Sequence, residues 1–600
     1  MSPQPRLWPG IAAVVLQWLL WFVAPRVNSD WMIAGALGGL ALGLVIIAWW
    51  AFFSRIPRME RWGGLALVLI ALFATRPLLD KSVATGMMGF MFWMYAIPAI
   101  TLALVAWAVI AARVPNVGVR RFALVAAIVI ACGAFTLLRT EGIMGDGRAQ
   151  LAWRWSKSPE QKLLAQTVAP APIPPAATET PKAVETPVSV TPAPPATSPA
   201  PVTPPVVTKV TETRVQWPGF RGPHRDSIVT GVRIDSDWTQ SPPTELWRHP
   251  VGPGWSSFAV DADRIYTQEQ RGDSEVVACY DLATGKPVWT HADAARFWES
   301  NGGAGPRGTP TLAAGRVYSF GATGILNALE ARTGKLLWKR NPASENNVKM
   351  PGWGFSSSPL VIGDVVIVAA AGQLAAYDIR DGRPLWVGPK DGSSYSSPQL
   401  VDIDGVPQVV MMGRSGATSV SPADGKVLWK HAWAGIPILQ PAIAPDGAVI
   451  LAQGEENGGG AGTRRVSVSH VAEGWKSEEV WTSNGLKPYF NDLVVHNGHA
   501  FGFDGSILSC IDLRDGQRKW KGGRYGHGQM LLLADQDLLL VLSEEGELAL
   551  VSAGTDKFNE VAKRPAIEGK TWNHPALAGD TLLVRNGQEM AAFRLKLAGT

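Results

Sequence analysis

In the last two thirds of the chain a short string returns in register: YDLATGKPVW ending at Trp289, ALEARTGKLLW at Trp338, AYDIRDGRPLW at Trp386, SVSPADGKVLW at Trp429 and CIDLRDGQRKW at Trp520. A divergent copy, EGWKSEEVW, ends at Trp481. Each copy reads as an apolar strand, an acidic or small residue, a Gly-Lys/Arg turn and a second strand closed by Trp. Spacings between these tryptophans run from 39 to 52 residues, the period of a four-stranded propeller blade. Unrelated hairpins in tandem would not keep acid, glycine, base and tryptophan in step.

An unpartnered outer strand, TELW ending at Trp247, precedes the first full unit, and DTLLVRNGQEMAAFRLK (Asp580 to Lys596) supplies strands without a closing Trp. A degenerate seventh unit spans Leu548 to Lys563. Pairing the Trp247 strand with the C-terminal strands predicts eight blades over residues 240–598 and leaves few free sheet edges. The fold class expected is an all-β eight-bladed propeller behind an α-helical transmembrane domain. The repeated unit resembles the PQQ-type (quinoprotein dehydrogenase-like) propeller family. That family includes quinoprotein dehydrogenases, among them the membrane-bound glucose dehydrogenase type, and the cofactor-free propeller lipoprotein of outer-membrane assembly.

The first 140 residues form a different material. Apolar runs at Leu7–Ala24, Trp31–Phe53, Trp62–Thr75, Met87–Ala112 and Phe122–Leu138 predict five membrane spans, with four as the alternative because the third run is short. Arg55, Arg58 and Arg61 in one loop and Arg113, Arg120 and Arg121 in another place the N-terminus in the cytoplasm and everything beyond Leu138 in the periplasm. The spans hold almost no ionisable group, with Gln17 the most polar residue deep in one. They read as an anchor in the inner membrane lipid, or a docking surface for a membrane quinone, rather than an ion path. On an outer loop Arg76, Asp80 and Lys81 are positioned to touch a quinone headgroup. Five spans before an external propeller is similar to the membrane glucose dehydrogenase plan.

The chain therefore divides into a membrane domain (1–140), a juxtamembrane segment (141–167), a Pro-rich linker (168–212), a lead-in segment packed on the propeller flank (213–239) and the propeller (240–600). The linker carries 13 prolines from Pro170 to Pro205. It is expected to be extended, with a reach on the order of 100 Å. Such a tether suits a propeller that reaches away from the membrane. A net charge of +5 without a basic stripe gives no sign of nucleic acid. Three scattered cysteines and the lack of a C-x-x-C-H string predict no haem attachment.

In a propeller, the loops before each innermost strand and those between the second and third strands gather around one mouth of the channel. Here several carry large polar groups where small turn residues would suffice. The resemblance implies a flat quinone with three carboxylates, PQQ. Arg271, Arg307, Arg524, Lys487 and Lys570 would match those carboxylates, and Trp255, Trp298, Trp353 and Trp572 would offer faces to stack on. Gln529, Asn573 and His574 complete this expected cofactor-binding set. Oxidation of an alcohol or sugar needs a base for the hydroxyl proton; Asp492 and Glu269 are the candidates, with His527 and His574 as alternatives. A calcium ion would take oxygen ligands from Glu299, Asn301, Asn491 and Asp492. For each rim residue the plain alternative is a rim ion pair or loop cap. The repeat tryptophans are expected to pack between blades, and the repeat acids Asp281, Glu330, Asp378 and Asp512 to bond turn amides.

Two functions follow. One is a membrane-anchored periplasmic quinoprotein oxidoreductase. The other is a non-catalytic envelope scaffold or binding propeller, whose partner at the channel is a polymer or protein.

Overall fold

The computed structural model describes residues 7–27, 31–166, 216–455 and 459–599; the Pro-rich linker lies outside the described residues. Five helices are long and apolar enough to cross a membrane: Trp8–Val27, Ala34–Phe53, Arg58–Leu78, Met91–Ala111 and Val117–Leu137. The third is longer than its apolar run. Its charged first turn is satisfied in place, because Glu60 pairs with Arg120 at 2.6 Å and Arg61 donates to the Ala51 carbonyl at 3.0 Å. Gln17 is buried among the helices. Its amide donates to the Gly39 carbonyl at 2.9 Å and accepts from the Thr101 hydroxyl at 2.7 Å, so no polar group there is left facing lipid. A side chain at Gly39 would collide with Trp21 and one at Gly10 with Trp49. Glycine thus sets the close approach of the first two helices.

Eight four-stranded antiparallel blades follow, with sheet spans 259–293, 311–340, 360–387, 399–432, 442–483, 494–524, 529–565 and 576–594. The last is completed by Thr244–Pro250, which pairs antiparallel with Glu589–Arg594, the closure expected from the Trp247 strand. Middle strands such as VVIVAA and LLLVL are buried on both faces, because each blade packs between two others.

The repeat string has a direct physical reading. The indole N–H of Trp289 donates to the Ala331 carbonyl of the next blade at 3.0 Å, and that of Trp338 to Ile379 at 3.0 Å. The ring lies on the following blade's turn glycine. Gly382 has φ +72°, and a Cβ there would fall 2.7 Å from Trp338. Trp247, Trp386, Trp481 and Trp520 bond the next blade in the same way. Trp429 instead donates to Gln408 within its own blade. Asp281, Asp378 and Asp512 accept turn amides, whereas Glu330 accepts the Thr333 hydroxyl.

The lead-in segment does not sit on the flank. Trp217 exchanges main-chain bonds with Val260 in blade 1, the Pro218 carbonyl accepts from Leu312 in blade 2, and Arg225 donates to Ser358 and Pro359 beside blade 3. Arg221 donates to the Leu493 carbonyl beside blade 6 at 2.8 Å, and Ile228–Val229 runs parallel to the inner strand of blade 7. Residues 217–229 thus cross the channel against the inner strands. The glycines and positive-φ residues of GFRGPHRDS (Gly219, Arg221, Gly222, Arg225 and Ser227) let the segment turn sharply enough to do so.

Candidate functional site at the channel mouth

The polar ring read from the pre-inner-strand loops exists, and most of it bonds blade to blade. The Ser257 N–H donates to Thr309 Oγ1 at 2.9 Å, the Thr309 N–H to Ser358 Oγ at 3.0 Å, the Ser358 N–H to Ser397 Oγ at 2.9 Å and the Ser397 N–H to Gln440 Oε1 at 2.5 Å. The Gln440 amide then donates to Asp492, which pairs with His574 Nε2 at 3.1 Å, and the Ser257 hydroxyl donates to the His574 carbonyl at 2.6 Å, closing the circuit. Above it Asn491 donates to Gly528, Gln529 to Phe490 and Trp572, and Asn573 to Gly254 and Ser256.

Asp492 and His574 are therefore members of a buried seam with Arg221, whose guanidinium lies 3.5 Å from the Asp492 carboxylate. Burial alone would raise the Asp492 pKa, but Arg221 and His574 hold it at about 2. A carboxylate held that far down is a poor proton acceptor near neutrality. Glu269, the other nominated base, is fully buried and bonded to Arg271 at 2.8 Å and to the Tyr280 hydroxyl at 2.6 Å.

The outer layer of the mouth is filled by the anchor. Strands Leu138–Ile143 and Ala149–Trp153 form a hairpin directly after the fifth helix, and its tip enters the propeller. The Ile143 N–H donates to the Asn301 carbonyl at 3.1 Å, and Lys570 Nζ donates to the carbonyls of Asn301 at 2.9 Å and Ile143 at 3.3 Å. The Gly145 N–H donates to the Glu544 carboxylate, which also accepts from Trp572 Nε1 at 2.7 Å. The loop between the third and fourth helices joins in. The Met87 N–H donates to Asn301 Oδ1, Ser300 donates to the Thr85 carbonyl, and Lys81 stands 5.4 Å over the Trp298 ring. Lys81 thus meets the propeller, and Asp80 caps the following helix through Ser82. After the hairpin, helix Pro159–Gln166 places Glu160 against Arg296 at 2.8 Å and the Gly272 N–H at 2.9 Å.

Lys570 is held between two indoles, 4.3 Å from the centre of Trp572 and 5.1 Å from that of Trp255. Burial pushes its ammonium down to about 7; Glu299 and Glu544 oppose the shift and Arg307 adds to it. Glu544 is held at about 2 against its burial, by His527, the Gly145 N–H and Trp572. Phe490 closes the collar, stacked on His527 at 4.9 Å and tilted on Trp572 at 4.8 Å, while Trp353 packs on Tyr395 at 4.7 Å.

The cations nominated for a tricarboxylate are each engaged elsewhere. Arg271 serves Glu269. Arg307 serves Glu299 at 3.2 Å and the Gly303 carbonyl at 3.0 Å, and burial pushes its pKa down to about 10. Lys487 lies 3.7 Å from Asp504, and Arg524 donates to Ser506. Among the nominated metal ligands, Glu299 and the Asn301 amide oxygen already accept main-chain N–H groups, whereas the Asn491 amide oxygen is buried without a hydrogen-bond partner among the described residues. Among the described residues no three His, Cys, Asp or Glu side chains converge on a metal position. In this arrangement the cations that a flat tricarboxylate quinone would need are bonded to protein groups.

Beside the plugged mouth lies a cavity of about 210 Å³, walled by the hairpin, the start of helix Pro159–Gln166 and the loops around blades 1 and 2. Sequence reasoning missed Glu544, Arg221 and the hairpin. Glu544 stands in SEEGEL, the loop between the second and third strands of blade 7, and Arg221 in the string WPGFRGPHRDS.

Residues 241–410 match the family PQQ_2, described as outer membrane protein assembly factor BamB. The chain is 23% identical over 353 residues to outer membrane protein assembly factor BamB of Yersinia pestis, covering 54% of this chain and 75% of that one. It is 26% identical over 220 residues to the dehydrogenase subunit of alcohol dehydrogenase (quinone) of Gluconobacter oxydans (strain 621H), covering 33% of this chain and only 26% of that one. Among solved structures, BamB from Moraxella catarrhalis aligns with a TM-score of 0.44 at 15% identity, over 59% of this chain and 98% of that one. A quinohemoprotein alcohol dehydrogenase from Pseudomonas putida HK5 aligns with a TM-score of 0.46 at 14% identity, over 64% and 81%. The propeller is thus similar both to outer-membrane assembly factors and to quinone-dependent alcohol dehydrogenases, with the family match confined to residues 241–410.

Proposed function

We propose that the protein is a non-catalytic binding propeller of the bacterial envelope, held in the inner membrane by its five helices with the propeller on the periplasmic side. The observation that carries this reading is the anchor hairpin in the channel mouth. The space a flat cofactor would need is taken by Ile143 and Gly145, bonded to Lys570 and Glu544. The basic groups a tricarboxylate would need are spent on protein partners. A propeller fixed to its own anchor offers its outer strands, blade edges and junction to a polymer or protein partner.

The dehydrogenase reading is favoured by the quinone-dependent relatives. It requires the hairpin to leave and the aromatic collar to part.

One experiment separates the two. The full-length protein in detergent is titrated with PQQ and calcium, and dye reduction is followed with alcohols and sugars. The scaffold reading expects no saturable change in cofactor absorbance and no turnover. Stoichiometric PQQ binding with turnover, lost in Arg307→Ala, would overturn it.

A further inference from the structure

The cavity beside the mouth has a chemistry of its own. Its walls come from both halves of the protein, so it exists only while the propeller is docked on the anchor. Arg139 and Glu141 enter from the hairpin and Glu160 from the helix after it; Arg296, Glu299 and Lys570 enter from the propeller. That is three cations against three carboxylates, and every one has a protein partner. Arg139 lies 2.8 Å from Glu141, and Arg296 lies 2.8 Å from Glu160. Glu299 is bonded to Arg307, and Lys570 to two carbonyls.

An ionic ligand gains little here. It would have to displace pairs already formed, at a cost in lost water. A neutral ligand meets a different surface. A guanidinium has five donors and a carboxylate about four acceptor positions. One ion pair uses only part of that capacity and fixes the orientation of the rest. The result is a set of donors and acceptors held side by side, which suits groups that both give and receive hydrogen bonds. Hydroxyls are such groups. Trp298 and Trp255 line the same space, with Lys81 over one ring and Lys570 over the other, and add apolar surface beside the polar groups. The volume of about 210 Å³ has room for one ring bearing such hydroxyls.

We propose that the junction cavity binds a neutral polyhydroxylated ligand, the terminal sugar of a glycan. This deepens the binding-propeller reading by naming a polymer class, and it rests on the docked arrangement.

The test uses the full-length protein in a detergent without a sugar headgroup. Glucose and N-acetylglucosamine are the probes, with sodium phosphate and phosphoethanolamine as ionic comparisons, and binding is read by calorimetry and by saturation transfer to the sugar protons. The proposal expects saturable binding of at least one sugar, weakened at least about tenfold in Trp298→Ala, and no preference for the ionic probes. Amide exchange at residues 141–146 reports whether a variant remains docked, and Glu141→Gln replaces Trp298→Ala if the latter undocks. No saturable sugar signal, an unchanged affinity in a docked variant, or preferential binding of phosphate or phosphoethanolamine would each overturn the proposal. The PQQ titration is scored separately, so loss of sugar binding and loss of the scaffold reading are distinguishable.

Discussion

Lys570 Nζ donates to the main-chain oxygen of Ile143, 427 positions earlier in the chain, at 3.3 Å. This bond and its neighbours hold the propeller against the N-terminal helices and their hairpin. Lys570→Met keeps the stem between Trp255 and Trp572 but takes the lysine donor from the Ile143 carbonyl and leaves the Asn301 carbonyl only the Ile143 N–H. A lost hydrogen bond to a charged group costs about 1.5–3 kcal/mol. Amide exchange of residues 141–146 should accelerate by about tenfold or more, with blade interiors unchanged. Equal protection in variant and wild type would show that the other contacts suffice.

Docking should weaken in acid. The Glu544 carboxyl is depressed from its ordinary value of 4.5 to about 2, so its contribution is full above about 4.5 and is lost as pH falls through about 2. The stability difference between wild type and Glu544→Gln, followed by thermal unfolding, should shrink as pH falls from about 5 to about 3. A difference constant across that window would mean that Glu544 has no such role.

Arg221 is buried to 2% exposure beside Asp492 and His574. Arg221→Met leaves a buried carboxylate with one fewer counter-charge, a change that costs about 3–5 kcal/mol. The propeller should unfold at a clearly lower temperature, while helix content from the anchor persists. An unchanged melting temperature would place the lead-in segment outside the folded ring.

Gly382 is tested by alanine. Its φ of +72° costs an L side chain about 1–2 kcal/mol, and the added Cβ would fall 2.7 Å from Trp338. Gly363, also at positive φ but facing open space, separates the two effects. Gly382→Ala should destabilise more than Gly363→Ala in chemical denaturation. Equal losses would remove the indole from the account.

The blades were legible because each repeat residue does a local job for an adjacent unit. Trp338 needs a glycine about one repeat later, and the two recur together at a fixed interval. The bulky rim residues were also legible as more than turn formers, but their partners were not. Nothing near Lys570 encodes Ile143, and nothing near Asp492 encodes Arg221. Read alone, these side chains looked available to a ligand. The reach read from the linker lies outside the described residues; the hairpin and the helix bearing Glu160, which precede it, already bond to the propeller. The third helix reads short because Arg58, Glu60 and Arg61 interrupt its apolar run, and the partners of Glu60 and Arg61 lie in other segments.

The eighth blade joins Thr244–Pro250 to Glu589–Arg594, and residues 217–229 touch blades from both ends of the sequence. The ring therefore has no complete form until the last few residues have been made. By then the five helices have already left the ribosome. Final closure thus comes after the helices and their hairpin have been made. Truncation of even the last strand would leave a spiral of blades with two open edges.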